Sequence, residues 1–191
     1  MRRTLTVILL ASGATAIVAA FVLPPRVGPP VTPLMAGAAD AASGRAARAV
    51  PGAPSGRPTV VFFIARGCPC SEAYEPYARR LFEAYGGRAS FVGVIDGDEQ
   101  DAEDWRRSHA TPFPVAPDPG GELARAYGAE RSAYTALVAD GATIQRLWPG
   151  YSGPMLRELG ARLAAASGGD EARLDVTGAP EALTSGCPFA P

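Results

Sequence analysis

The chain has 191 residues, 19 acidic side chains, 18 basic ones that are all arginine, one histidine and three cysteines, for a formal net charge of −1 at pH 7. With its basic residues spread singly or in pairs such as Arg79-Arg80 and Arg106-Arg107, it carries no footprint for nucleic acid. The absence of lysine excludes a phosphate-loop lysine and any Schiff-base mechanism.

The basic start Met1-Arg2-Arg3 precedes an uncharged run from Thr4 to Leu23. About twenty apolar residues match a hydrocarbon core of about 30 Å. Residues 1–23 therefore read as a signal anchor, with a cleaved signal peptide as the alternative, cut near Ala14-Thr15-Ala16 or Ala36-Gly37-Ala38. Basic residues on the short N-terminal side place that end in the cytoplasm and everything after Leu23 outside it. The expected location is the cell envelope, anchored to the membrane, or the exterior if the segment is removed. Residues 24–57, rich in Pro, Ala and Gly with few large apolar side chains, read as an unfolded tether. Residues 58–191 are the right size for one domain.

Within that domain Thr59 to Ala65 is a continuous apolar, β-branched and aromatic run, the pattern of a central strand buried on both faces. Ala73, Tyr77, Leu81 and Ala84 then recur at helical spacing until Gly86-Gly87, with Pro76 as an expected kink. Ala89 to Ile95 reads as a second buried strand, followed by the turn Asp96-Gly97-Asp98 and a polar helix through about Ser108. Phe113 to Ala116 is a short strand, and Gly121 to Tyr127 a helix closed by Gly128. Tyr134 to Ala139 and Thr143 to Trp148 flank Asp140-Gly141, a strong hairpin signal. A last helix spans about Gly153 to Ala166. This order implies an α/β fold in which parallel strands carry helices on both faces and the hairpin adds an antiparallel edge.

Chemistry is expected where the first strand gives way to the first helix, at Cys68-Pro69-Cys70. Proline suits the first helical position, which makes Cys68 the N-cap and turns its sulfur toward free N–H groups at the positive end of the helix dipole, plausible donors being Cys70 and Ser71. Such settings lower a thiol from about 8.5 into the range of roughly 3.5–7.5. Three cysteines allow one internal disulfide and one remaining thiol. Neighbours two apart on a regular helix point away from each other, so both Cys70 and Cys187 stay open as the partner of Cys68. A static Cys187 staple is the structural alternative.

Five stretches together resemble the thioredoxin superfamily, and within it the redoxin and alkyl hydroperoxide reductase/thiol-specific antioxidant group. They are the strand leading into Cys68-Pro69-Cys70-Ser71 with Tyr74 and Pro76; Phe113-Pro114-Val115 with Asp118 and Gly120; Leu123-Ala124 through Tyr127-Gly128-Ala129; the hairpin at Asp140-Gly141; and the tail from Ala182 to Cys187. The likeness covers about Pro58 to Phe189 and implies a thioredoxin-like central mixed sheet flanked by helices, with Cys68 as the attacking thiol. It also implies a substrate-facing loop at Ser132 and Ala133. The chain departs from the group at three places: Ala133 stands where a cis-proline is usual, one residue rather than two separates the cysteines, and Ala65 replaces the Thr or Ser that precedes a peroxide-reactive cysteine.

The activity expected from these features is that of a thiol-disulfide oxidoreductase, with Cys68 as nucleophile resolved by Cys70 or Cys187. A thiol peroxidase is the alternative within the group; it calls for an arginine near Cys68, for which Arg131 and Arg66 are the candidates, Arg131 and Ser71 being the groups expected to steady the thiolate. Cu(I) binding is a further alternative, since thiolates favour that ion and a copper-chaperone branch shares the fold. No metal-ligand spacing supports it: His109 reads as a helix-end residue, and the acidic turn around Asp96 to Asp101 lacks the pattern of a calcium loop. No nucleotide fingerprint is present, so no cofactor is expected, and electrons come from a partner protein or small thiol whose identity the sequence leaves open.

Overall fold

All six residues of β1 (Thr59–Ile64) are buried, as an apolar and β-branched run must be when helices cover both faces of its sheet. It pairs in parallel with β2 (Ser90–Ile95) and antiparallel with β4 (Thr135–Ala139). With β3 (Val115–Pro117) added in parallel to β2 and β5 (Thr143–Trp148) antiparallel to β4, the strand order is β3-β2-β1-β4-β5. The computed structural model describes residues 28–54, 56–139 and 143–189. The Asp140-Gly141 turn and the apolar run of residues 4–23 lie outside these, and among the described residues no helix is long and apolar enough to cross a membrane.

Alternate residues of β1 serve different cores. Val60 and Phe62 pack with α2 (Pro69–Tyr85) and α5 (Gly153–Ser167), while Val61 and Phe63 pack with α4 (Glu122–Tyr127) on the opposite face. At the strand's end Ile64 meets Ala102 and Trp105 of α3 (Glu99–His109). Local signals set the helix ends. Asp98 caps α3 with its carboxylate while Asp101 reaches back to the Asp98 N–H, closing a capping box. Gly128 ends α4 at φ 77°, a conformation that glycine adopts without steric cost. Helix α2 continues through Pro76.

The expected tether over residues 24–57 is corrected by the structure for its described part. A further helix, α1 (Pro33–Ala42), starts at Thr32, whose hydroxyl accepts from the Met35 N–H at 3.3 Å, with Pro33 in the first turn. It packs against β5 and buries Ala39 and Ala42 in the same core as α4, with Met35 packed against that core, while Leu34 is 83% exposed. The fully buried part of the contact is made by alanines, which let the helix backbone approach the sheet closely. The chain after α1 then lies along the outer edge of β5. The Gly44 N–H donates to the Ile144 carbonyl at 2.8 Å and the Ile144 N–H to the Arg45 carbonyl at 2.9 Å, and Asp40 pairs with Arg146 at 2.8 Å. This covers an edge that would otherwise stand open.

Beyond α5 the chain returns along α2. The Arg80 guanidinium donates to the Asp175 carbonyl at 2.9 Å and the Ala172 N–H to the Tyr85 hydroxyl at 3.0 Å, and Leu174, Val176 and Leu183 pack on the α2/α5 core. The last residues are thereby delivered to the N-terminal end of α2. If close approach of small side chains holds α1, Ala42→Leu overpacks the site and lowers stability by about 1–3 kcal/mol. Leu34→Ala changes it by no more than about 0.5 kcal/mol, as for an exposed position; urea unfolding of both variants checks the contrast.

Candidate active site

Cys68 is the N-cap of α2, with extended backbone at φ −87° and ψ 115°. Because it stands outside the regular helix, its sulfur is not turned away from that of Cys70 as two helical neighbours would be. The structure brings all three cysteines together: the sulfurs of Cys68, Cys70 and Cys187 lie within 4.8 Å of one another, all as free thiols. Cys68 and Cys70 are buried and Cys187 partly so, with Phe189 packed beside them.

Hydrogen bonds converge on the Cys68 sulfur from parts of the chain far away in sequence. The Ser132 hydroxyl lies 3.2 Å from it, and the Cys187 backbone N–H donates to it at 3.3 Å and to the Ser132 hydroxyl at 3.1 Å. Burial opposes ionisation of Cys68, but the Cys187 thiol, the Ser132 hydroxyl and the Cys187 backbone N–H outweigh it and bring the thiol down to about 6. The same surroundings act oppositely on its neighbours. Burial, and then the charge on Cys68, push the Cys70 thiol up to about 12. Cys187 is raised too, first by the hydrogen bond it shares with Cys68 and then by burial. Near neutral pH the site holds one thiolate beside two protonated thiols.

The helix start contributes less than the sequence implies. No capping hydrogen bond runs from the α2 backbone to the Cys68 side chain, and the Ser71 N–H donates at 3.0 Å to the Cys68 carbonyl. The Ser71 hydroxyl accepts from the Ala65 N–H at 3.1 Å, so it braces the strand-to-helix turn. Neither arginine candidate supports the Cys68 sulfur. Arg131 donates through Nε to the Gly186 carbonyl at 2.8 Å, and Arg66 pairs with Asp101 at 3.1 Å and Asp96 at 3.7 Å. His109 stacks on Trp105 and bonds its carbonyl, and it is no part of the sulfur cluster.

Ser132 and Ala133 do border the cysteines, in roles the sequence did not separate. Ser132 supplies a hydroxyl to Cys68, while Ala133 holds φ 60° and its N–H donates to the Phe63 carbonyl at 2.8 Å, continuing the β1 pairing ahead of the start of β4. No cis peptide bond occurs among the described residues. Two glycines absent from the expected site also matter. A Cβ on Gly28 would lie 3.0 Å from the Cys70 sulfur, and one on Gly186 would lie 2.0 Å from the Ser132 hydroxyl. Both are places where backbone must pass close to the site; the Gly-Cys pair in the tail was the available signal for the second.

Residues 47–147 match the family described as AhpC/TSA. The chain belongs to the AhpC/TSA family. No curated protein matches it. Among solved structures, a Chlorobium tepidum protein described as a thiol:disulfide interchange protein, DsbE, is similar with a TM-score of 0.57 at 22% identity, covering 65% of this chain and 96% of its own. An uncharacterised conserved protein of Geobacillus kaustophilus gives 0.55 at 20% identity over 77% of this chain and 90% of its own, and peroxiredoxin Q of Xanthomonas campestris 0.50 at 16% over 59% and 81%. Identities this low establish a shared fold, which is thioredoxin-like. Against the pattern usual in that superfamily, Ala133 is not a proline in waiting. Proline fixes φ near −65° and has no N–H, so Ala133→Pro conflicts with the observed φ of 60° and removes the bond to Phe63. It is expected to lower stability by more than about 1 kcal/mol, whereas Ala133→Gly is tolerated, as read by chemical denaturation.

Proposed function

We propose that this AhpC/TSA family member is a membrane-tethered thiol-disulfide oxidoreductase acting outside the cytoplasm, with Cys68 as its nucleophile. The observation that carries the reading is the Cys68 sulfur, lowered to about 6 by converging hydrogen bonds and within 4.8 Å of two protonated thiols. A thiolate attacks a disulfide, and a second thiol close by resolves the mixed disulfide. The tether and the location rest on the basic start and the uncharged run of residues 4–23. Disulfide rather than peroxide is favoured as substrate because Arg131 and Arg66 are engaged elsewhere and Ala65 has no hydroxyl to offer. Electrons are supplied by an external dithiol.

Ultraviolet thiolate absorbance of the reduced protein is expected to rise with pH through about 6 and to lose that step in Cys68→Ser, while Cys70 ionises only at far higher pH. Because folding lowers the Cys68 thiol, the associated stabilisation is complete above the unfolded value of about 8.5 and is lost as pH falls through the folded one. Cys68→Ser abolishes disulfide reduction, and replacing both Cys70 and Cys187 by serine allows a mixed disulfide at Cys68 to accumulate. Mass mapping that finds no adduct at Cys68 in that variant would overturn the reading.

One observation favours a second reading, Cu(I) binding. Three thiol sulfurs within 4.8 Å form a soft donor set, and a metal–sulfur length of about 2.3 Å places three ligands of a planar site about 4 Å apart. Competition between the reduced protein and a chromophoric Cu(I) chelator tests it. One tight equivalent lost in Cys187→Ser supports the reading, and no retention of copper excludes it.

A further inference from the structure

Closed over the sulfurs lies the chain's own tail. Its first part is bound on two sides: the Val31 N–H donates to the Leu183 carbonyl at 3.1 Å, the Ser185 N–H to the Pro29 carbonyl at 2.9 Å, and Thr184 exchanges backbone bonds with Tyr151 at 2.9 and 3.0 Å. Its second part pairs antiparallel with the loop Glu130–Ser132. There the Ser132 N–H donates to the Cys187 carbonyl at 2.9 Å, the Gly186 N–H to the Ser132 carbonyl at 3.0 Å, and the Phe189 N–H to the Glu130 carbonyl at 3.3 Å. With the tail in place Cys68 is 2% exposed, so a disulfide from another molecule has no path to it.

Backbone pairing of this kind is indifferent to side chains except where one would collide or react. The collision is at Gly186, where a Cβ would stand 2.0 Å from the Ser132 hydroxyl and 2.7 Å from its carbonyl oxygen. The reactive position is the next one, Cys187, whose sulfur joins the cluster around Cys68. We propose that the tail is a built-in occupant of the substrate-facing loop at Glu130–Ser132, competing with an extended client strand for the loop's backbone bonds and closing the site in the client's absence, and that the contact at Gly186 selects clients carrying a Gly-Cys pair. This rests on Cys68 being the exchange nucleophile.

The sequence of steps balances. The tail leaves its edge and a client strand takes its backbone bonds. The Cys68 thiolate then attacks the client's cysteine sulfur, breaking the client disulfide; the client's other cysteine departs as thiolate and takes a proton from water. When the tail returns it displaces the client strand, now held only by the mixed disulfide. Cys187 gives up its proton and attacks the Cys68 sulfur, and the client's cysteine leaves as a second thiolate. Two electrons have passed from Cys68 and Cys187 to the client's disulfide, and an external dithiol restores the reduced pair. Strand addition to a free edge is an established mode of peptide recognition, in which the backbone supplies affinity and individual positions supply selectivity. Here the selective position requires glycine.

Two measurements on the reduced full chain test this without turnover. In Gly186→Val the new side chain evicts the tail, and iodoacetamide labelling of Cys68 is expected to accelerate about tenfold or more, since local opening limits access in the parent. Amide protection in β1 and α2 should be unchanged. In the unaltered chain, an excess of an unreactive extended peptide carrying Gly-Ser is expected to expose the Gly186 amide to hydrogen exchange while the Ser132 amide stays protected, and a Val-Ser peptide should do neither. Labelling at the parental rate in a folded Gly186→Val variant overturns the proposal, as does an equal response, or none, to the two peptides. The peptide measurement holds even if the variant unfolds. Loss of the mixed disulfide at Cys68 would instead sink the redox reading and leave these exchange results as they are.

Discussion

A sulfur anion kept away from water depends on donors that can be brought to it, and at Cys68 those donors come from two places distant in sequence. The Ser132 hydroxyl belongs to the loop before β4 and the Cys187 N–H to the tail. Burial alone would push Cys68 in the direction it pushes Cys70, which burial and the charge on Cys68 raise to about 12. Two cysteines separated by a single proline are thereby given opposite ionisation, one anionic and the other protonated. The sheet exists, in functional terms, to bring the end of β1 and the start of β4 side by side, and their antiparallel pairing does so.

Much of that sheet was legible. A run such as TVVFFI, short and rich in β-branched and aromatic residues, points to a doubly covered strand, and the alternation of strand and helix after it implies parallel neighbours. The ends of α3 and α4 were written in Asp98 and Gly128, whose capping and left-handed backbone are local matters. The position of Cys68 at the start of α2 followed from Pro69 by the same local reasoning.

What escaped the sequence is long-range. Helix α1 was hidden because its fully buried residues are alanines, which carry little hydrophobic signal, while of its two large apolar residues Leu34 faces solvent and only Met35 packs on the core. Thr32-Pro33 was a readable start, but nothing nearby says that β5 needs a cover. The thiolate's helpers were sought among arginines, since charge is what a sequence displays. Neutral donors from Ser132 and a backbone N–H serve instead, and a backbone donor has no signature in any residue type. Membership of the AhpC/TSA family likewise fixes the frame and not the details: the left-handed Ala133 and the tail laid across the sulfurs are read from this chain's contacts.

The tail is fastened unevenly, and this has a kinetic meaning. Leu183 to Ser185 are gripped on both sides, by residues 29–31 and by Tyr151, whereas Gly186 onward is held by the Glu130–Ser132 loop. When the outer portion peels away, its root stays in place only two residues from Cys187. A reactive group on so short a leash keeps an effective concentration on the order of millimolar. A diffusing thiol intercepts Cys68 only where its own concentration exceeds that of the captive sulfur.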